Sequence, residues 1–167
     1  RDLRAYALGK GYTLELDYHE EESCLMRFAN SAISLNTNEH LIRLNITAYD
    51  GMKKRASYEL ITDLEKVDEM KQGIDVAAEM AKVAQPLEYE PTPTVFKESF
   101  ADDGGYDPAL AGLKNEEKLA YFNKVVAGLE TDEIKLSGIF VYFETSISQI
   151  YTHSEHTQLF KFSDAQV

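Results

Sequence analysis

From Tyr12 to Leu60 apolar and polar residues alternate. Leu14, Leu16 and Tyr18 are interleaved with Glu15 and Asp17, and further on Ile42, Leu44, Ile46 and Ala48 with Arg43, Asn45 and Thr47. A period of two is the mark of strands that bury one face. Turn chemistry falls at Asn30-Ser31, at Asn36 to Asn38 and at Asp50-Gly51, because Asn, Asp, Ser and Gly tolerate or hydrogen-bond the backbone of tight turns. The adjacent carboxylates Glu20 to Glu22 read as a solvated hairpin end. Ahead of this region, residues 2–9 (DLRAYALG) read as the tail of a helix closed by Gly9 and Gly11, glycine being the residue that most readily takes the left-handed conformation after a helix.

The period then changes. Thr62, with Glu65 three residues on, predicts a capping box, and Leu64, Val67, Met70, Ile74, Ala77, Ala81 and Ala84 form an apolar stripe at helical spacing, with Lys66, Lys71, Glu79 and Lys82 largely off it. Pro86 ends this helix, since the residue before a proline is pushed out of the helical region. Residues 86–113 carry all 4 prolines with Gly104, Gly105 and Gly112 and predict an irregular surface segment. A second helix is expected from about Asn115, presenting Leu119, Phe122, Val126 and Leu129 to the core, with Gly128 and Thr131 at its close. Strands resume at Ile134, with Leu136, Ile139, Val141 and Phe143 in one, Ile147 and Tyr151 in the next, and Leu159, Phe160 and Phe162 in the last.

Helix followed by strands thus occurs twice, a candidate internal repeat. A gapless offset of 117 pairs Ser31 with Ser148, Ile33 with Ile150 and Ala48 with Ala165. Strand runs separated by helices without strict alternation predict an α+β fold, an antiparallel sheet with helices packed on one face. With 167 residues, 44% hydrophobic and 28% charged, the chain is expected to form one domain over 1–167.

Net charge narrows the function classes. Lys and Arg number 17 against 29 Asp and Glu, a formal charge of −12, which repels phosphates and predicts no nucleic-acid partner. No run approaches the length of a membrane span. The single cysteine, Cys24, cannot form an internal disulfide and reads as a buried small apolar residue. A cytoplasmic location is the expectation, and the start at Arg1 and stop at Val167 inside a strand-like run predict a piece of a longer chain. His153 and His156 are weak candidate metal ligands, with Glu155 or Glu144 to join them in a turn; two polar turn histidines are the plainer reading. His19 and His40 stand alone beside acidic residues.

One stretch is distinctive. Residues 26–51, MRFANSAISLNTNEHLIRLNITAYDG, hold Arg27, Phe28, Asn30, Ser31 and Ile33 in an Arg-Phe-x-Asn-Ser-x-Ile run. This resembles the first sheet of the TldD/PmbA family, long labelled modulators of DNA gyrase. The resemblance continues through Gly51, Ala56, Ser57, Leu60 and the Gln85-Pro86 helix exit. It departs where His153, Ser154, Glu155 and His156 stand in place of a family Asn-Ser-x-Gly turn, and where Lys54 and Arg55 occupy the region of a family glycine.

The resemblance implies the non-catalytic amino-terminal domain of a zinc metalloprotease whose carboxyl-terminal catalytic domain is absent from this chain. It implies a cytoplasmic protein that forms a homodimer or a TldD–PmbA-like heterodimer and degrades unfolded peptides. Zinc in that family is held by a His-Glu-x-x-x-His helix in the other domain, a motif this chain does not contain, so no catalytic residue and no cofactor is expected here. Arg27, Asn30 and Ser31 become candidate contacts to substrate or to the carboxyl-terminal domain. The alternative is the same domain of a zinc-free, PmbA-like partner subunit acting as a protein-interaction module.

Overall fold

The computed structural model describes residues 2–151 and 156–166. Helix α1 spans Asp2–Gly9, and three strands follow: β1 Thr13–Ala29, β2 Ala32–Asp50 and β3 Lys54–Thr62. Helix α2 covers Val67–Val83; then come β4 (Phe100–Gly105), α3 (Pro108–Ala111), α4 (Asn115–Leu129), β5 (Gly138–Tyr151) and β6 (Thr157–Gln166). The strands form one sheet in the order β3-β2-β1-β5-β6-β4. The fold is α+β, with helices packed against the sheet.

Local chemistry sets the hairpins. Asn30 and Ser31 are the two residues between β1 and β2, with φ of 52° and 59°, the double left-handed pair whose twist suits a two-residue hairpin. Gly51, at φ 62°, turns β2 into β3. These two pair antiparallel in a register running from Ile42 opposite Thr62 to Asp50 opposite Lys54. Within it Thr47 and Ser57 face each other, and their hydroxyls lie 2.8 Å apart.

The chain divides into two compact units, each assembled from separated segments: Arg1–Glu20, Leu41–Asp102 and Ser146–Phe160 in the first, Glu21–His40, Asp103–Thr145 and Lys161–Val167 in the second. In the first, the alternating residues foreseen on β1 and β2 do face inward: Leu14, Leu16, Leu44, Ile46 and Ala48 meet Met70, Ile74, Ala77 and Ala81 of α2 and Ala7 of α1. Full burial of a side chain such as Ile74 contributes about 1.5–3 kcal/mol. Gly73 lets α2 approach closely, since a Cβ there would lie 3.1 Å from Leu60 and 3.2 Å from Ile46. In the second unit Cys24, Met26 and Tyr142 form a smaller core with Leu110 against it. Beside it the rings of Phe28 and Phe122 pack at a tilt of 53° with centroids 4.8 Å apart.

Several local expectations fail for physical reasons. Residues 36–38 and 20–22 do not turn; they lie inside β2 and β1, where a strand partner of matching length keeps the backbone extended. No Thr62–Glu65 capping box forms. Thr62 stays in β3 opposite Ile42, Glu65 donates its N–H to the Asp63 carboxylate at 3.4 Å, and the helix begins at Val67. Residues 86–113 are not irregular throughout, for they include β4 and α3, the latter capped by Asp107, which accepts from the Ala109 and Leu110 N–H groups. On α4 the buried stripe is Lys118, Phe122 and Val126, while Leu119 and Leu129 are exposed. Ile139 and Ile147 share the single strand β5. Ser31 sits in a turn and Ser148 within β5, so the gapless offset does not superpose the two hairpins, although the order helix, strand, strand does recur.

Candidate functional site

Of the three candidate contact residues, two meet the same neighbouring segment. The Ser31 N–H donates to the Leu136 carbonyl at 2.8 Å, and the Leu136 N–H donates back to the Ser31 hydroxyl at 3.0 Å. One residue earlier, the Asn30 N–H donates to the Ser137 hydroxyl at 3.2 Å. The β1–β2 turn is thereby clamped to the chain leading into β5. Arg27 is exposed and does not join this clamp through its side chain; its carbonyl accepts from the Ser34 hydroxyl at 3.1 Å.

A cleft of about 300 Å³ opens in the second unit between the middle of the β1–β2 hairpin, the start of α4 and β5. Its wall contains two side chains that are unusual for their burial. Lys118 is 5% exposed and Tyr142 4%, and the Lys118 ammonium sits 4.0 Å from the centre of the Tyr142 ring. A desolvated cation over an aromatic face is favourable by about 2 kcal/mol, yet no carboxylate lies within ion-pair distance of Lys118 among the described residues. The Tyr142 hydroxyl is buried without a hydrogen-bond partner. Burial pushes its pKa up to about 12, with Glu144, Tyr106, Glu22 and Cys24 adding to the rise, so the phenol remains a neutral donor. Glu22, Glu39 and His40 line the cleft and are exposed.

Cys24 is 2% exposed and borders the same cleft. Its sulfur lies 3.8 Å from the Asn36 side-chain oxygen and 3.9 Å from that of Asn115, two alternative acceptors for its one weak S–H donor. Asn115 is not the helix cap, which is one residue earlier: the Lys114 N–H donates to the Glu117 carboxylate at 2.8 Å.

For the histidine pair, His156 is half-buried and His153 lies outside the described residues. Among the described residues no three His, Cys, Asp or Glu side chains converge as metal ligands. No helix among them is long and apolar enough to cross a membrane.

The first unit holds two polar features. Asp75 on α2 accepts from the Tyr6 hydroxyl at 2.7 Å and the Lys10 ammonium at 2.8 Å, which ties α1 to α2. Burial works to raise the Asp75 pKa, but these two hydrogen bonds outweigh it and hold the carboxyl below its usual range. On the polar side of the sheet, Asp17 and Asn45 each keep a buried side-chain oxygen without a partner. Burial, with Glu15 adding, raises the Asp17 pKa against the lowering effect of His19.

The alternation and turn signals passed over Lys118 and Tyr142. The spacing did carry a signal for the first: Lys118, Phe122 and Val126 follow at four-residue steps, which puts a lysine on the buried stripe of α4. Tyr142 had none, because alternation around it selects Ile139, Val141 and Phe143.

No family model and no curated protein matches the chain. Solved structures do. A protein from Thermotoga maritima, described as a candidate modulator of a DNA gyrase, matches 98% of this chain over 36% of its own, with a TM-score of 0.65 and 15% identity. TldE from Thermococcus kodakarensis matches 89% of this chain over 34% of its own, at TM-score 0.72 and 15% identity. A further candidate gyrase modulator, from Bacteroides thetaiotaomicron, matches 98% over 37%, at TM-score 0.57 and 15% identity. The chain spans about one third of the length of each, and at this identity the likeness is one of fold. The motif from Arg27 to Ile33 and the fold likeness converge on the same group of proteins.

Proposed function

We propose that this chain is the non-catalytic amino-terminal domain of a TldD/PmbA-like zinc metalloprotease, walling the substrate chamber and carrying subunit contacts. The observation that carries the reading is the fold likeness along 98% of the chain to about one third of a larger protein. The Arg-Phe-x-Asn-Ser-x-Ile motif, seated at the clamped β1–β2 turn, supports it further. Zinc belongs to the carboxyl-terminal domain of the parent protein, and the cytoplasm is the compartment of the assembly.

The domain contributes substrate contact without chemistry. β3 and β4 are the outer strands of the sheet, and an outer strand offers main-chain donors and acceptors to an extended peptide. β3 is the longer, with 9 residues, and Lys54 and Arg55 at its start suit an acidic or neutral peptide. Arg27, exposed near the β1–β2 turn, is a contact residue of the motif accessible to substrate or to the carboxyl-terminal domain. Asn30 and Ser31 act by holding that turn.

A second reading, the same domain in a zinc-free partner subunit of a heterodimer, draws on the likeness to TldE at TM-score 0.72. Zinc content and hydrolysis of an unstructured peptide, measured on this chain and on its full-length parent, separate the two. An inactive chain from a zinc-bound, active parent supports the protease domain. A parent without zinc or activity supports the partner subunit, and chelator-resistant peptidase activity in this chain refutes both.

A further inference from the structure

The cleft of the second unit has a chemistry that neither the protease nor the partner-subunit role uses. Its inner wall carries the ammonium of Lys118, a residue only 5% exposed that has no carboxylate partner among the described residues, and a buried hydroxyl without an acceptor, that of Tyr142. The buried Tyr142 hydroxyl left unmatched is costly, the Lys118 charge beside it favours a negative group, and an oxygen anion accepts from both. At the mouth stand the exposed carboxylates of Glu22 and Glu39. They repel a simple anion such as phosphate and attract a cation. A ligand complementary to the whole cleft is therefore negative at its inner end and positive at its outer end.

The geometry points to a binding site for a small zwitterion, an amino acid or dipeptide, held with its carboxylate on Lys118 and Tyr142 and its ammonium between Glu22 and Glu39. A volume of about 300 Å³ is at the small end of ligand pockets, which limits the occupant to that size. The raised pKa of Tyr142 keeps its proton in place to donate. Cys24 supplies a compact wall. The site belongs to the second unit alone, so it does not rest on the metalloprotease reading: an inactive, zinc-free parent leaves it standing.

The test is calorimetric titration of the full chain with L-alanyl-L-alanine, its carboxyl-terminal amide, its N-acetyl derivative and inorganic phosphate. The dipeptide is expected to bind, and each capped form to bind at least about tenfold more weakly, since each loses one charge pair. Lys118→Met, which keeps an unbranched side chain one atom shorter and without the charge, is expected to abolish binding. Tyr142→Phe removes only an unpartnered hydroxyl, so it folds at least as well as the parent and loses several-fold in affinity. No binding at millimolar dipeptide, equal binding of the capped forms, or phosphate binding as tight as the dipeptide overturns the proposal. The capped ligands are titrated into the unsubstituted chain, so they test the site even where Lys118→Met fails to fold.

Discussion

A Cβ placed on Gly138 lies 2.9 Å from the Phe28 ring tip and 3.4 Å from the next ring carbon. The ring cannot swing away freely, because it packs at a tilt against Phe122 with centroids 4.8 Å apart. Gly138→Ala therefore overpacks the second unit. Such overpacking costs about 1–3 kcal/mol, offset by about 0.4–1 kcal/mol from the stiffer unfolded chain. The net loss is about 0–2.6 kcal/mol, which for a chain of this size lowers the melting temperature by up to about 10 °C. Phe28→Leu removes the ring tip and loses the tilted ring contact, itself a cost of about 1–3 kcal/mol. In that background Gly138→Ala is expected to be neutral or stabilising, a coupling of about 1 kcal/mol or more. The assay is the urea midpoint and melting temperature of all four chains. Equal costs of Gly138→Ala in both backgrounds would refute the reasoning, because the penalty would then lie in the backbone and not against Phe28.

Three further outcomes follow from the same packing and charge arguments. Ser31→Ala removes the acceptor of the Leu136 N–H and is expected to cost about 1–2 kcal/mol in urea unfolding, with faster hydrogen exchange at Leu136. Asp75 has a depressed folded pKa, so its contribution is present above the unfolded carboxylate range and is lost as pH falls through the folded pKa; Asp75→Asn should flatten the fall in melting temperature between about pH 5 and pH 2. That carboxylate side chain is 34% exposed, so added salt should shrink the difference. Asp17 has the opposite sign: its raised folded pKa makes the ionised form a burden at neutral pH, and Asp17→Asn should raise the melting temperature at about pH 7 with the gain vanishing by about pH 3.

The first unit was legible in the sequence because its core follows strict periods. Leu14 and Leu16 alternate on β1, and Met70, Ile74, Ala77 and Ala81 fall on one side of α2. The second unit was less so. Its strands are polar on exposed stretches, and Asn36 to Asn38 carry turn chemistry that loses to the long pairing of β1 with β2. Leu119 and Lys118 are adjacent on α4, and hydropathy favours the leucine for burial; the aromatic face of Tyr142, supplied by a distant strand, reverses the choice. The Asn30-Ser31 turn was readable from residue type alone, but its clamp to Leu136 and Ser137 was not, since those partners lie more than a hundred residues away.

The most direct test of an accessory, non-catalytic role is one mass-spectrometric experiment: hydrogen exchange of this chain with an unstructured, acidic or neutral peptide in the presence of a chelator, reading the peptide's mass in the same run. The expected result is slowed exchange along Lys54–Thr62 with the peptide intact. A cleaved peptide, or an unchanged β3 at saturating peptide, would contradict a domain that holds substrate without cutting it.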